Sequence, residues 1–377
     1  MNNKKVILMC PGPSEVHPEV LLAMAKPLIS HVDPNFFVLL DQLQGQLKTI
    51  FQTENPCMLL PGTGSSGMEA ALINFLDPGE KVLVGVIGHF GDRIRIIAER
   101  IGCDVKVVSA PDGKALDPND VEMAIKGFSP KLFACVHAET STGVLQPLED
   151  IMNICKKYGV LTLVDTVASL GGVNVPVDDL GIDIVYSGSQ KCLGCPPGVA
   201  PISFGPKAEK VLDTLKPRNY YLDLRLIKKY WQERVYHHTP PVSLFYACNK
   251  GFDLIIEEGL ISRFERHRKI GLALQKGLET MGFKLVAERN IQNPVVTAVY
   301  LPPEIEDIKL RKILLEEFGI EIALGIAQLK GKIARFGTMA ESARPYNILY
   351  LLSALENIFK RYGIFKESGV EVASSML

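Results

Sequence analysis

VLTLVDTVASLGGVNVPVDDLGIDIVYSGSQK, residues 160–191, holds two apolar, β-branched runs, Val160–Asp165 and Ile182–Tyr186. The first stops on an aspartate, and the second passes through a Ser/Gly turn into Gln190 and Lys191. Outward from here the same texture repeats. Lys81–Val86, Val105–Ser109, Leu132–His137 and Val199–Phe204 read as further strands, and Gly67–Leu76, Asp92–Ile101, Pro118–Ile125 and Leu148–Lys157 as the helices between them. Short apolar strands alternating with helices predict an α/β fold with a mostly parallel sheet covered on both faces. Ligands of such sheets sit beyond the carboxyl ends of the strands, so the residues at those ends matter most. Beyond about residue 258 the pattern changes to long amphipathic helices, Arg263–Met281 and Arg344–Arg361, with strands at Phe283–Val286, Val295–Leu301 and Ile333–Phe336. This predicts an N-terminal arm (1–15), a large domain (16–258) and a smaller C-terminal α+β domain (259–377). The tail Lys366–Leu377, polar and small, is expected to fray.

Asp165 ends an apolar strand, where a carboxylate is costly unless something cationic or protic meets it. Alone it reads equally well as a turn-capping residue. A pyridinium nitrogen would suit it: at about 3 Å and an effective dielectric of ~20 the pair is worth on the order of 5 kcal/mol before desolvation. A ring kept protonated in this way is the electron sink of pyridoxal 5'-phosphate (PLP) chemistry. Lys191 follows Tyr186-Ser-Gly-Ser and precedes Cys192-Leu-Gly-Cys195-Pro-Pro-Gly, a poor setting for a solvated surface charge. Near an apolar wall and a cationic ring its amine would lose basicity and could form an imine.

Pro61-Gly-Thr63-Gly64-Ser65-Ser66-Gly67-Met-Glu69 opens a helical stretch with glycines and hydroxyls. Exposed amides at a helix N-terminus bind phosphate, and Ser66-x-x-Glu69 has capping-box spacing. The same glycines match a dinucleotide fingerprint. That reading wants a clean strand beforehand and an acidic ribose ligand about 20 residues on, whereas Cys-Met-Leu-Leu-Pro is short and ends in proline. Gly88-His-Phe90-Gly91 offers an aromatic face for a pyridine ring. His137-Ala-Glu-Thr140-Ser-Thr-Gly143 brings hydroxyls to another strand end, within reach of a ring's phenolic oxygen.

The 377 residues suggest two domains rather than one. A hydrophobic fraction of 47%, a charged fraction of 22% and a formal net charge of -1 describe an ordinary globular protein. Without a basic excess, nucleic-acid binding is disfavoured. The apolar run in MNNKKVILMCPGP stops at Pro11 after a few residues, too short for a signal segment or membrane span. Ser375-Met376-Leu377 has Met where a peroxisomal address has a basic residue. A cytoplasmic protein without membrane contact is expected. The eight cysteines are scattered apart from Cys192 and Cys195, which fits a reduced interior. There is no second CxxC or Cys/His pair to build a zinc site, so no metal is expected. Cys192 and Cys195 read as small packing residues, with a redox role left open.

Taken in order, these motifs resemble the class V aminotransferases of PLP fold type I, in their alanine–glyoxylate, serine–glyoxylate and serine–pyruvate branch. Ser-Thr-Gly-Val-Leu-Gln-Pro at 141–147, Val-Ala-Ser-Leu-Gly-Gly at 167–172 and Tyr-His-His-Thr at 236–239 carry the likeness, which runs from Pro11-Gly-Pro to the strand of Arg335. The resemblance implies a seven-stranded sheet and a set of roles. Lys191 would be the Schiff-base lysine and Asp165 the pyridinium partner. Val167 and Phe90 would cover the two ring faces, Phe90 standing where the branch more often has Trp. Thr140 would serve the phenolic oxygen, and Thr63, Gly64, Ser65 and Gln190 the phosphate. Tyr236 and Thr239 would reach that phosphate from a neighbouring subunit, implying a homodimer. Arg335 would take the substrate carboxylate, a task that suits a guanidinium fork. Ser65 replaces a frequent His, and Cys-Leu-Gly-Cys replaces the more usual Ala-Leu-Asn-Ala.

The activity so implied is ping-pong transamination from a small amino acid, alanine or serine, to a small 2-oxo acid, glyoxylate or pyruvate. Aspartate, ureidoglycine or aminoethylphosphonate stand as other donors. A lyase such as a cysteine desulfurase would place His over the ring and need a mobile C-terminal Cys, but no cysteine follows Cys248. An NAD-dependent oxidoreductase resting on Gly62-x-Gly-x-x-Gly67 would leave Lys191 and Asp165 without a role. A non-catalytic PLP-binding protein would show no activity toward any donor.

Overall fold

The computed structural model describes residues 6–377; the first five residues of the expected arm 1–15 lie outside the described residues. Seven strands form the central sheet: β1 (Cys57–Pro61), β2 (Lys81–Val86), β3 (Asp104–Ser109), β4 (Leu132–Val136), β5 (Leu161–Asp165), β6 (Ile184–Tyr186) and β7 (Val199–Phe204). Their order is β1-β7-β6-β5-β4-β2-β3, and β7 alone runs against its neighbours. The sheet is thus mostly parallel, as the alternating texture predicts. β4, β5, β6 and β7 are buried along their whole length, which is why they read as continuous apolar runs rather than alternating ones.

The run Cys57–Pro61, too short and proline-ended to count as a clean strand in the sequence, is strand β1. Proline is tolerated there because β1 lies at the sheet edge, with only β7 as a partner. The edge is covered by helix α1 (Pro34–Phe51), which starts on an Asp33 cap and a proline and turns Phe36, Leu40, Leu43 and Leu47 inward.

Register decides where the chemistry lies. Val136 of β4 pairs with Asp165 of β5, and Asp165 with Tyr186 of β6. Three strands therefore finish level with one another. The helices that follow two other strand ends, α2 (Gly64–Phe75) and α3 (His89–Ile101), begin beside that row.

After α4 (Val242–Glu258) the chain turns at Gly259, whose φ of +79° suits a residue without a Cβ, into the long helix α5 (Leu260–Thr280). A four-stranded antiparallel sheet follows, β8 (Lys284–Leu285), β9 (Val296–Tyr300), β10 (Ala323–Leu324) and β11 (Ile333–Gly337), in the order β8-β9-β11-β10. Its apolar core is distinct from that of the large sheet, and Met9 of the arm belongs to it. Ile7–Leu8 pairs in parallel with Ile320–Glu321, so the arm is anchored on the C-terminal part of the chain. A small cluster of Ala138, Ala168, Cys192, Val295, Val296 and Met339 joins the two cores close to the strand ends.

The tail does not fray. Pro345–Arg361 (α6) is followed by a last helix, α7 (Gly369–Met376), capped by Ser368 and packed on α5. The contact works because Gly369 meets Gly277 backbone to backbone, where a Cβ on either would collide. Composition read as polar and small is, in place, a seam of small residues.

Candidate active site

One cavity opens at the level strand ends and is lined by Thr63, Gly64, Ser65, Phe90, Thr140, Asp165, Val167, Gln190 and Lys191. The expected cofactor-binding positions other than Tyr236 and Thr239 are therefore in one place, with Met68, Arg93, Val136, Ala138 and Ala168 beside them.

Asp165 is almost fully buried at the end of β5. Its Oδ2 accepts from the Tyr186 hydroxyl at 2.7 Å and its Oδ1 from the Val167 amide at 2.8 Å. Burial outweighs both bonds and pushes its pKa up to about 6. Lys191 follows β6. Burial pulls its amine down to about 8, and the Arg335 charge adds to the effect. Nζ donates to the Pro11 carbonyl, and Gly12, at φ +101°, leaves room for the lysine where a Cβ would strike it. A carboxylate short of a cation and an amine inclined to neutrality thus face one cavity.

Opposite lies the start of α2. Its N-cap Thr63 makes no side-chain cap bond, so first-turn amides remain for a ligand. The helix starts three residues earlier than the sequence suggests. Ser66 is therefore inside its first turn, where Oγ donates to the Thr63 carbonyl at 2.7 Å, and the capping box with Glu69 does not form. A Cβ on Gly64 would stand 2.8 Å from Val167, which is how closely the two loops approach. Gln190 Oε1 is buried and has no hydrogen-bond partner among the described residues.

Phe90 sits in the first turn of α3, and Thr140 is buried just past β4. Arg335, central in β11, is buried between β9 and β10. Its Nε and Nη1 donate to the carbonyls of Leu324 (2.8 Å) and Thr140 (2.9 Å), and Nη2 has no partner among the described residues. Tyr236 and Thr239 are exposed and do not line the cavity.

The family model for aminotransferase class V matches residues 22–340. The chain belongs to the class V aminotransferases. It is 38% identical, at a TM-score of 0.97, to the crystal structure of ureidoglycine–glyoxylate aminotransferase from Bacillus subtilis, covering 100% of this chain and 99% of that one. The alanine–glyoxylate aminotransferase of Nostoc sp. is 40% identical at a TM-score of 0.93, covering 95% and 96%. That of Callithrix jacchus is 37% identical over 93% of this chain and 86% of its own. Class V aminotransferases use PLP, and so does this one; its fold is PLP fold type I. The cavity fits that cofactor on its own terms: uncapped helix amides for a phosphate, a carboxylate lacking its cation and an amine of lowered basicity.

Several residues of this aminotransferase site were not singled out in the sequence. Glu139 is fully buried, and its Oε2 accepts from the Phe90 and Gly91 amides at 3.0 and 3.2 Å, capping α3. Its Oε1 accepts from the Ser141 amide at 3.0 Å and hydroxyl at 2.6 Å. Tyr186 holds Asp165, and Arg93 enters the cavity one turn after Phe90. The signal for Arg93 was its i+3 spacing from Phe90 on one helix. Cys192 and Cys195 are buried, and burial raises the Cys192 thiol to about 12, as befits packing residues. Among the described residues no cluster of metal-ligating side chains occurs.

Proposed function

We propose that this aminotransferase moves an amino group from a small amino acid, alanine or serine, to a small 2-oxo acid, glyoxylate or pyruvate. The observation that carries the reading is Lys191 and Asp165 facing one cavity across from an uncapped helix start. Bound there, PLP supplies a protonated heteroaromatic ring that draws electrons from a substrate's α-carbon. Asp165 keeps the ring nitrogen protonated. With burial drawing its amine down to about 8, Lys191 is neutral far more often near pH ~7.5 than a free lysine is. A neutral Nζ would hold the cofactor through its carbonyl carbon and, when free, would carry the proton taken from the substrate's α-carbon. Nη2 of Arg335 takes the substrate carboxylate. Thr63, Gly64, Ser65 and Gln190 hold the phosphate, Thr140 the phenolic oxygen, and Phe90 and Val167 the ring faces.

Tyr236 and Thr239 do not line this chain's own cavity and would serve the phosphate of a second copy, so the reading includes a homodimer. The exposure of Tyr220, Tyr221, Val235 and Tyr236 along one segment supports it. The domain division at Gly259 and a cytoplasmic location complete the proposal; no helix among the described residues is long and apolar enough to cross a membrane.

Likeness to the ureidoglycine–glyoxylate enzyme favours a second donor, ureidoglycine, at the same site. A donor panel decides. Purified holoenzyme is mixed with alanine, serine, aspartate, ureidoglycine or aminoethylphosphonate, and loss of the visible cofactor band is followed. Glyoxylate or pyruvate is then added to restore it. Alanine or serine should bleach the band fastest; faster bleaching by ureidoglycine would replace the donor assignment, and no response to any donor would end it.

A further inference from the structure

Arg93 lines the active-site cavity, yet the expected roles leave it unused. Its guanidinium lies 4.7 Å from the centre of the Phe90 ring. Nη1 donates to Ser65 Oγ at 3.4 Å and Nη2 to His89 Nε2 at 3.2 Å. A guanidinium has no acceptor, so the imidazole nitrogen must accept, and His89 cannot neutralise the charge. The nearby carboxylates on α3 are taken by Arg95, which pairs with Asp92 at 2.6 Å and Glu99 at 2.7 Å. Arg93 has no carboxylate partner among the described residues. A half-buried cation in that position calls for an anion from outside the chain.

Its location says which anion. Ser65 is the second residue of α2, so through it Arg93 reaches the uncapped helix start. A helix N-terminus offers roughly half an elementary charge, whereas a phosphate monoester carries about −1.5 to −2. The shortfall needs a full cation. Among the described residues lining the cavity the only cations are Lys191 and Arg93, and Lys191 is engaged with Pro11 after β6. Arg335 lies outside the lining and is tied to the Leu324 and Thr140 carbonyls. We infer that Arg93 is the counter-cation of the cofactor phosphate, aimed by Ser65 and His89 and braced on Phe90.

The test compares two ligands that differ only in the phosphate. Cofactor-depleted full-length protein is titrated with PLP and with pyridoxal, and the visible band is read. Arg93→Gln should weaken PLP by about 10- to 100-fold, the range for losing a charge-assisted contact, and leave pyridoxal within about twofold. Arg93→Lys should recover part of the loss. Equal weakening of both ligands would make Arg93 a packing residue, and unchanged PLP affinity would remove it from the phosphate. Loss of kcat/KM confined to dicarboxylate donors, with PLP affinity intact, would likewise overturn the inference in favour of a substrate contact. Should Arg93→Gln fail to fold, as far-UV circular dichroism would report, Arg93→Met keeps the apolar stem on Phe90 and serves the same comparison.

Discussion

Lys191 and Asp165 gain their chemistry from being buried without full compensation. Lys191→Ala removes the only amine among the described residues lining the cavity. It should lower the half-reaction rate with any donor by at least about 10³-fold, within what a positioned proton carrier supplies; stopped-flow bleaching of the cofactor band measures this. Asp165 retains its proton up to about pH 6 in the cofactor-free chain because burial penalises the carboxylate. The ionised form that a protonated ring nitrogen needs is populated above that pH. PLP affinity should therefore rise between about pH 5 and about pH 7, and Asp165→Asn should flatten the rise in equilibrium titrations. Cofactor-free stability follows the opposite course. A raised folded-state pKa means that the folded chain holds the proton more tightly, so this contribution shrinks as pH climbs from about 4 through about 6.

Among the elements, the start of α3 shows how a buried acid can serve a site it does not enter. Glu139 receives two amides of that helix and both donors of Ser141, and so fixes Phe90 at the cavity wall. Glu139→Gln would turn an NH₂ group toward at least one of these donors. The expected outcome is a loss of about 2–4 kcal/mol in urea unfolding, from buried bonds left unmade, with weaker cofactor binding as Phe90 loosens. Unchanged stability would show that the cap is dispensable. This role was hidden in the sequence. Glu-Thr-Ser-Thr-Gly was legible as a strand-end motif, but its glutamate meets amides 48 and 49 residues earlier in the chain.

Across the whole molecule, the two cores meet near the cavity, and Arg335 crosses from the small sheet to the Thr140 carbonyl of the large one. If Arg335 takes the substrate carboxylate, capture will depend on how the two parts seat on each other. If the neighbouring subunit completes the phosphate site, sedimentation should give a dimer. The double change Tyr236→Ala, Thr239→Ala should then weaken PLP by about 10-fold or more, one charge-assisted bond or its equivalent. A fully active monomer would remove these two residues from the site.

From its residues alone the chain declared alternating strands and helices, an aspartate and a lysine at neighbouring strand ends, and a glycine-rich helix start. These signals are local, because period, composition and turn chemistry act over a few residues. Tertiary structure decided the reversal of β7, the edge strand with its proline, and the tail helix laid glycine against glycine on α5. It also decided that Glu139 caps α3 and that Arg93 reaches Ser65 at the start of α2. The reason is physical: a charge or a small residue takes its meaning from the surface it meets, and that surface is supplied by chain far away in sequence.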